Sequence, residues 1–368
     1  MTSHRLRIAI AGLGRMGKRH ALNYLQKTPR AHVVAAFTPD PVEIAWAKEN
    51  LAPFGVRLYT DYDEMLAAET ASLMDEKTAG GLEAVVVATA TTVHAEEAIK
   101  AIEHGLHVMC EKPLSTSLEI SKTVVDAADA HPKQKVLCGF SRRFDASYLD
   151  AKARVDSGAI GRPAVFRSQT CDKLDPSGFF VAYAEFSGGI FVDCNIHDID
   201  LALWFFGQDA VPKSVYAIGI TAVEPGLARF GDVDNGVGVV EFWGDKIAYF
   251  FGSRMMASGQ HDMTEIIGTE GKISVNQNPV GHLVDVWESS GIRREIPQDY
   301  YGRFELAFVA EANEFTEACL DDKPLKSRLQ GAVQALAISV ALQESLRSGK
   351  KIYYDETGRR LVDDTKPV

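Results

Sequence analysis

The stretch Leu6-Arg7-Ile8-Ala9-Ile10-Ala11-Gly12-Leu13-Gly14-Arg15-Met16-Gly17 decides how the first third of the chain is read. Leu6, Ile8 and Ile10 make a short apolar run into Gly12, and Met16, Ala21, Tyr24 and Leu25 then recur at helix-compatible spacing. This pattern predicts a strand over Leu6–Ala11, a glycine-rich turn and a helix over Met16–Gln26. A second strand-like run, His32–Phe37, closes about thirty residues after the first opens, the length of one βαβ unit. The turn itself reads G-x-G-x-x-G. In that context the glycines permit a tight turn, close approach of backbone to a pyrophosphate, and close helix–strand packing, while the helix N-terminus presents oriented N–H groups.

Outward from this unit the alternation continues. Helix-like Ala45–Asn50, strand Val56–Tyr59, helix Glu64–Ala68, the near-continuous Val/Ala run Ala84–Ala90, helix Ala95–Glu103, strand His107–Cys110, helix Leu118–Ala130 and strand Val136–Gly139 predict a doubly wound parallel sheet. Between Ala68 and Glu83 the chain turns polar and ends in Gly80-Gly81, which predicts a surface excursion without assigned function. From Ala164 the character changes to β-rich runs: Ala164–Gln169, Ser214–Ile220, Gly236–Trp243, Ile247–Ser253, Glu265–Ile267, Lys272–Val275 and Leu283–Glu288. Helices are fewer here, over Asp145–Val155, after Asp193, and over Phe304–Leu320 and Gln330–Ser348. Strands that follow one another without crossover helices predict a mostly antiparallel sheet. The expected organisation is a dinucleotide-binding domain over residues 1–139 and a substrate-binding and oligomerisation domain over residues 140–368, α/β overall.

Length and composition agree with two globular domains: 368 residues, 46% apolar and 24% charged, enough to bury a core in each. Lys and Arg number 39 against 50 Asp and Glu, a net charge of −11, so there is no electrostatic footprint for nucleic acid. The five cysteines are scattered with no C-x-x-C pair and read as reduced thiols. No run suits a signal peptide or a membrane span, which predicts a cytoplasmic protein without a membrane partner.

Where a carboxylate would meet the ribose hydroxyls of NAD, at the end of the second strand, the chain reads Phe37-Thr38-Pro39-Asp40. Thr38 brings no charge to repel a 2′-phosphate and no arginine follows to attract one, which leaves NAD and NADP both open. Asp40 either recovers the ribose contact or opens the next helix ahead of Pro41. Glu111-Lys112-Pro113 follows a strand at its C-terminal end, the edge where open α/β sheets bind ligands, so Lys112 can point into the crevice. The richest constellation is Gly188-Gly189-Ile190-Phe191-Val192-Asp193-Cys194-Asn195-Ile196-His197-Asp198-Ile199-Asp200. If Asp193 opens a helix, His197 and Asp200 share its face, and a carboxylate beside an imidazole raises the basicity that alcohol oxidation needs. The competing readings are a dipole-favoured helix start and a metal site. No metal is expected, because hydride transfer needs none once a base is available.

The glycine motif, Glu111-Lys112-Pro113, Gly139-Phe140-Ser141-Arg142-Arg143-Phe144-Asp145, and Gly188-Gly189 leading to Asp193-x-x-x-His197-x-x-Asp200 together resemble the Gfo/Idh/MocA oxidoreductase family. Within it the chain is most similar to inositol 2-dehydrogenases and related sugar dehydrogenases. The resemblance implies a Rossmann domain followed by an α/β domain whose large open sheet serves a homo-oligomer, dimer or tetramer. It implies that Lys112 and His197 face the reacting carbon, with Asp193 supporting His197, and that the peptide bond before Pro113 is cis. Gly12, Gly14, Arg15, Met16, Gly17, Thr38, Thr89, His94, Glu111 and Lys112 fall on the cofactor side. Lys112, Arg142, Asp172, Asn195, His197 and Asp200 fall among the substrate hydroxyls, with substrate identity decided around Ser168–Lys173. Departures are Ala90, where relatives often carry proline, and Thr38, where they often carry Asp.

The expected function is NAD(P)-dependent hydride transfer between nicotinamide and a secondary alcohol of a cyclitol or pyranose sugar, as in inositol 2-dehydrogenases. The alternatives are an aldose 1-dehydrogenase or keto-sugar reductase, and a catalytically silent NAD(P)-binding regulator. His20 reads as packed, Trp204, Phe205 and Phe206 as core or subunit interface, and the charged residues from Arg359 to Lys366 as solvated surface. Tyr300 and Tyr301, ahead of the late helix, are candidates to close over a pocket.

Overall fold

The computed structural model describes residues 4–71 and 81–361. Residues 72–80 of the polar stretch after Ala68, and 362–366 of the late charged stretch, lie outside the described residues. The chain falls into two compact units, one of Met1–Ser141 with Leu306–Val333, the other of Arg142–Glu305 with Gln334–Val368. A single division at residue 139 leaves out the late segment that joins the first unit.

In the first unit the elements alternate: β1 (Leu6–Ala11), α1 (Arg15–Lys27), β2 (Ala31–Phe37), α2 (Pro41–Asn50), β3 (Arg57–Tyr59), α3 (Tyr62–Ala71), β4 (Ala84–Val87), α4 (His94–Glu103), β5 (His107–Glu111), α5 (Leu118–Ala130) and β6 (Val136–Gly139). The sheet order is β3-β2-β1-β4-β5-β6, and every pairing is parallel. All four residues of β4 are buried, as a strand covered on both faces requires. On α4 the buried Ala95, Ala98, Ala101 and Ile102 recur at helical spacing and make the face that covers the sheet. β4 ends at Val87, short of the expected Ala90, because its partner β1 ends at Ala11, opposite Val87, and turns away at Gly12. The order reverses across β1 and β4, so the carboxyl ends of these strands form the ligand crevice of such a sheet.

The second unit contains α6 (Ala146–Asp156), β7 (Pro163–Lys173), α7 (Phe179–Ser187), α8 (Ile190–Asp193), α9 (Ile196–Phe206), β8 (Pro212–Ile220), β9 (Asn235–Phe242), β10 (Lys246–Met256), β11 (His261–Gly268), β12 (Lys272–Val275), β13 (Asp285–Glu288) and β14 (Gly291–Arg294). Then come the long helices α10 (Tyr300–Leu320) and α11 (Leu329–Ser348), each divided between the units, and the short β15 (Ile352–Tyr353). Seven strands run in the order β12-β11-β7-β10-β9-β8-β15. β7 and β10 pair in parallel and every other pairing is antiparallel, so the sheet is mixed but mostly antiparallel. β7 extends to Lys173, beyond the expected Gln169, because β10 and β11 flank it on both edges as far as Cys171.

Strand alternation gives this sheet two unlike faces. Phe166, Ser168 and Thr170 of β7 and Ala248 and Phe250 of β10 are buried on one, where α9 packs against β7 and β10. Tyr216, Ile218 and Ile220 of β8, Val237 and Val239 of β9 and Ile247 of β10 are exposed on the other. In the ladder Tyr216 stands opposite Val239, and Ile218 opposite Val237. The exposed apolar side chains are therefore contiguous.

Candidate active site

The dinucleotide half is built at the carboxyl ends of β1, β2, β4 and β5. Gly12 has φ +85°, and a Cβ there would stand 2.5 Å from the Thr89 nitrogen; a Cβ on Gly17 would stand 1.9 Å from the Gly12 carbonyl oxygen. Both positions exclude a side chain for internal reasons. Gly14 is different: a Cβ there would meet only Glu43 Oε1, at 3.5 Å. No internal clash requires glycine at Gly14, which stands at the N-terminus of a thirteen-residue helix, where close backbone approach of a pyrophosphate would require it. Arg15 is exposed and Met16 half-buried at the start of that helix.

Thr38 is buried, and its hydroxyl donates to Glu43 Oε2 at 2.5 Å. The same oxygen accepts the Leu13 N–H at 3.2 Å. Asp40 is the N-cap of α2, its Oδ1 accepting the Val42 and Glu43 N–H groups at 2.7 and 3.2 Å, with Pro41 following. Of the two readings of Asp40, the structure selects helix initiation. Thr89 donates to Glu97 Oε2 at 2.7 Å; burial pushes the Glu97 carboxyl up to about 7, against the pull of that hydrogen bond. His94 lies between two carbonyls, Nδ1 at 2.9 Å from Pro113 and Nε2 at 3.1 Å from Thr89. Burial holds this ring below the usual histidine range, with the two carbonyl hydrogen bonds opposing. Glu111 turns inward: its Oε1 meets His20 Nε2 at 2.7 Å, and its Oε2 accepts the Lys112 N–H at 3.1 Å. Burial is the largest single influence and would raise this carboxyl, but the hydrogen bond and charge of His20 together with the nearby Lys112 bring the pKa below the usual range. The Lys112–Pro113 bond is cis. Thus Glu111, Thr89 and His94 hold the turns after β4 and β5 in shape, and Lys112 is half-buried immediately beyond β5.

The polar cluster of the second unit gathers where β7, α9 and β11 meet. One expectation is overturned here. Asp193 does not open the helix of His197; it ends the four-residue α8. The Asn195 N–H bonds back to the Ile190 carbonyl five residues earlier, at 3.1 Å, and this wide turn interrupts the helix before α9 begins at Ile196. The same-face argument therefore does not carry from Asp193 to His197. Asp193 Oδ2 instead accepts from Arg254 Nη2 at 3.1 Å, and the buried Arg254 also reaches Asp232 at 3.3 Å. His197 is buried in the first turn of α9, with the Tyr300 ring centroid 5.2 Å from its own and the Tyr300 hydroxyl 3.5 Å from Nδ1.

Arg142 and Asp200, expected among the substrate hydroxyls, are held in internal ion pairs. Asp200 shares α9 with His197 but receives both Nε and Nη2 of Arg143 at 2.8 Å. Burial raises its carboxyl above the usual range, with Arg143 opposing. Arg142, buried, donates to Asp198 at 2.9 Å, Thr170 at 2.8 Å and Asp262 at 3.0 Å. Asp198 is the hub, accepting also from Ser168 at 2.6 Å, Thr170 at 2.7 Å and Asn195 at 2.8 Å. Gln260 links Asp172, at 2.7 Å, to Asp262. Burial pushes Asp262 up to about 7 even with Arg142 beside it. Glu43, Asp198, Arg254 and Asp262 are the polar residues that motif reading passed over. Glu43 had a local signal, the Asp40-x-x-Glu43 capping pattern. Arg254 and Asp262 had none, because their partners lie 61 and 120 positions away. Among the described residues no three His, Cys, Asp or Glu side chains are grouped to hold a metal, and no helix is long and apolar enough to cross a membrane.

Residues 6–140 match the oxidoreductase family with an NAD-binding Rossmann fold, and residues 148–274 match the GFO/IDH/MocA C-terminal domain. The chain is 32% identical over 355 residues to the scyllo-inositol 2-dehydrogenase (NAD(+)) of Bacillus subtilis, covering 96% of this chain and 97% of that protein. It is 28% identical over 353 residues to the myo-inositol 2-dehydrogenase of Thermotoga maritima, covering 95% and 99%. The crystal structure of scyllo-inositol dehydrogenase from Lactobacillus casei with bound NAD(H) and scyllo-inositol superimposes with a TM-score of 0.86 at 32% identity, covering 95% of this chain and 99% of that one. The chain belongs to the GFO/IDH/MocA oxidoreductase family, with an NAD-binding Rossmann domain followed by the family's C-terminal domain.

Proposed function

We propose that the protein is a nicotinamide-dependent dehydrogenase acting on a ring hydroxyl of a cyclitol, an inositol in the first instance. The observation that carries this is the near-full-length likeness to a scyllo-inositol 2-dehydrogenase and to a structure binding NAD(H) and scyllo-inositol. Gly12, Gly14 and Gly17 with the start of α1 would hold the pyrophosphate, and the bound nicotinamide would supply the hydride acceptor.

In this reading His197 is the general base that takes the hydroxyl proton. Its buried ring is flanked by Tyr300, which limits the orientations the imidazole can adopt. Lys112 orients the substrate oxygen and stabilises the negative charge that develops on it. Asp193 supports the proton-accepting group from α8, itself positioned by Arg254. Asp172 and Asn195 would pair with ring hydroxyls, while Arg142 and Arg143 are engaged by Asp198 and Asp200 in buried ion pairs. A polyol suits such a site, since each ring hydroxyl offers a donor and an acceptor. An epimer leaves buried groups unpaired and is rejected.

The exposed apolar face of the second sheet supports a homo-oligomer, because a contiguous strip of Tyr216, Ile218, Ile220, Val237, Val239 and Ile247 is more than scattered surface residues. Five free cysteines, four of them buried, support a reducing, cytoplasmic setting. The function is tested by initial rates of nicotinamide reduction with NAD⁺ and NADP⁺ against myo-inositol, scyllo-inositol, glucose, xylose and galactose. Turnover of an inositol above the sugars is expected. Turnover confined to an aldose, with a lactone as product, would replace the reading by aldose 1-dehydrogenase.

A further inference from the structure

We propose that Glu43 is the carboxylate that recognises the adenosine ribose, and that it makes this chain select NAD over NADP although Thr38 occupies the end of β2. This rests on the dinucleotide-binding reading of the first unit and is independent of which polyol is oxidised.

Three observations place the charge. Glu43 Oε2 is fixed by two donors, the buried Thr38 hydroxyl at 2.5 Å and the Leu13 N–H at 3.2 Å. Leu13 lies inside the Gly12–Gly17 turn, so the carboxylate is anchored to the phosphate-binding loop itself. Its second oxygen, Oε1, accepts no hydrogen bond among the described residues and stands 3.5 Å from where a Cβ on Gly14 would be. Oε1 is therefore the acceptor left for a ribose hydroxyl. The other nearby acid, Asp40, is exposed and committed to capping α2. No Lys or Arg occurs from Phe37 to Ala47 to receive a 2′-phosphate, the first being Lys48 in the last turn of α2.

Thr38 then has a role of its own. Its hydroxyl is a charge-assisted donor that holds the Glu43 side chain back against the loop. The carboxylate has moved from the strand end to the first turn of the following helix, and the strand-end residue has become its clamp. A 2′-phosphate brought to this place meets a fixed negative charge, whereas a 2′-hydroxyl finds an acceptor.

The test is calorimetric binding of NADH and NADPH to the full-length protein without substrate, for wild type, Glu43→Gln, and Glu43→Gln combined with Thr38→Asp. Thermal unfolding of each variant reports folding. Wild type is expected to bind NADH at least about 100-fold more tightly than NADPH, since like-charge juxtaposition costs several kcal/mol. Glu43→Gln should weaken NADH roughly tenfold and bring the two cofactors within about tenfold of each other. Adding Thr38→Asp should restore the discrimination. An unchanged ratio in a folded Glu43→Gln variant would overturn the proposal. So would equal or tighter binding of NADPH by the wild type, which requires no variant to fold. Binding of neither cofactor by the wild type would defeat the dinucleotide reading and this proposal with it, whereas failure on every polyol with NADH still preferred would count against the substrate alone.

Discussion

Replacing Arg142 by Met separates a residue that binds substrate from one that holds the site together. In the wild type one buried guanidinium serves two buried carboxylates, Asp198 at 2.9 Å and Asp262 at 3.0 Å, and lies 5.1 Å from the Phe304 ring. Methionine fills much of the volume but removes the only cation bonded to this pair of acids among the described residues. Asp198 keeps Ser168, Thr170 and Asn195 as donors, and Asp262 keeps Gln260. Breaking a buried pair from one side costs about 3–5 kcal/mol. At about 2–4 °C per kcal/mol for a unit of this size, Tm should fall by roughly 6–20 °C.

The loss should also depend on pH. Burial holds Asp262 at about 7 in the folded protein, above its unfolded value, although Arg142 opposes the shift. Between those two values the folded state binds more protons than the unfolded, so the contribution of Asp262 is fully present at low pH and is lost as pH rises towards 7. Without Arg142 the folded value moves higher and the loss continues above 7, so the gap between variant and wild type should widen from pH 6 to pH 8. Scanning calorimetry at both pH values, with steady-state kinetics on the best polyol, reads the outcome. A variant with wild-type Tm at both pH values and a KM raised tenfold or more would refute the reasoning and return Arg142 to the substrate.

Other consequences are open to direct measurement. His197→Asn and Lys112→Met should each lower kcat by about 10²–10⁴, far more than they weaken the calorimetric affinity for NADH, and near-normal turnover in both would remove them from the chemistry. Gly17→Ala puts a Cβ 1.9 Å from the Gly12 carbonyl oxygen, so the turn must shift and NADH binding should be lost; wild-type affinity would show that the turn is not the phosphate site. Ile218→Asp with Val239→Asp places charges on the exposed face of the second sheet and should reduce the mass found by light scattering to that of a smaller species. An unchanged mass would locate assembly elsewhere or show that there is none.

Much of this protein is legible in its sequence because the signals are local. The alternation of strands and helices up to Gly139 follows from which side chains must be buried on each element, and the glycine turn follows from contacts within a single βαβ unit. The Asp40 cap and the Thr38–Glu43 contact are local as well, whereas the reach of Glu43 to Leu13 spans 30 positions. The angular register around His197 is another matter: one five-residue hydrogen bond, from Asn195 to Ile190, separates Asp193 from the helix on which spacing would place it. The same holds for Arg142 and Asp200. Their residue types suit a sugar site, yet each finds a counter-charge on another element, 56 positions away for Arg142 with Asp198 and 57 for Asp200 with Arg143. Sequence by itself determined the elements, the glycine turn and the family's set of chemical groups, because these depend on neighbours a few residues apart. Only the tertiary structure decided which charged groups pair with one another and which are left for a ligand, because a buried charge is committed by the partner that folding brings to it.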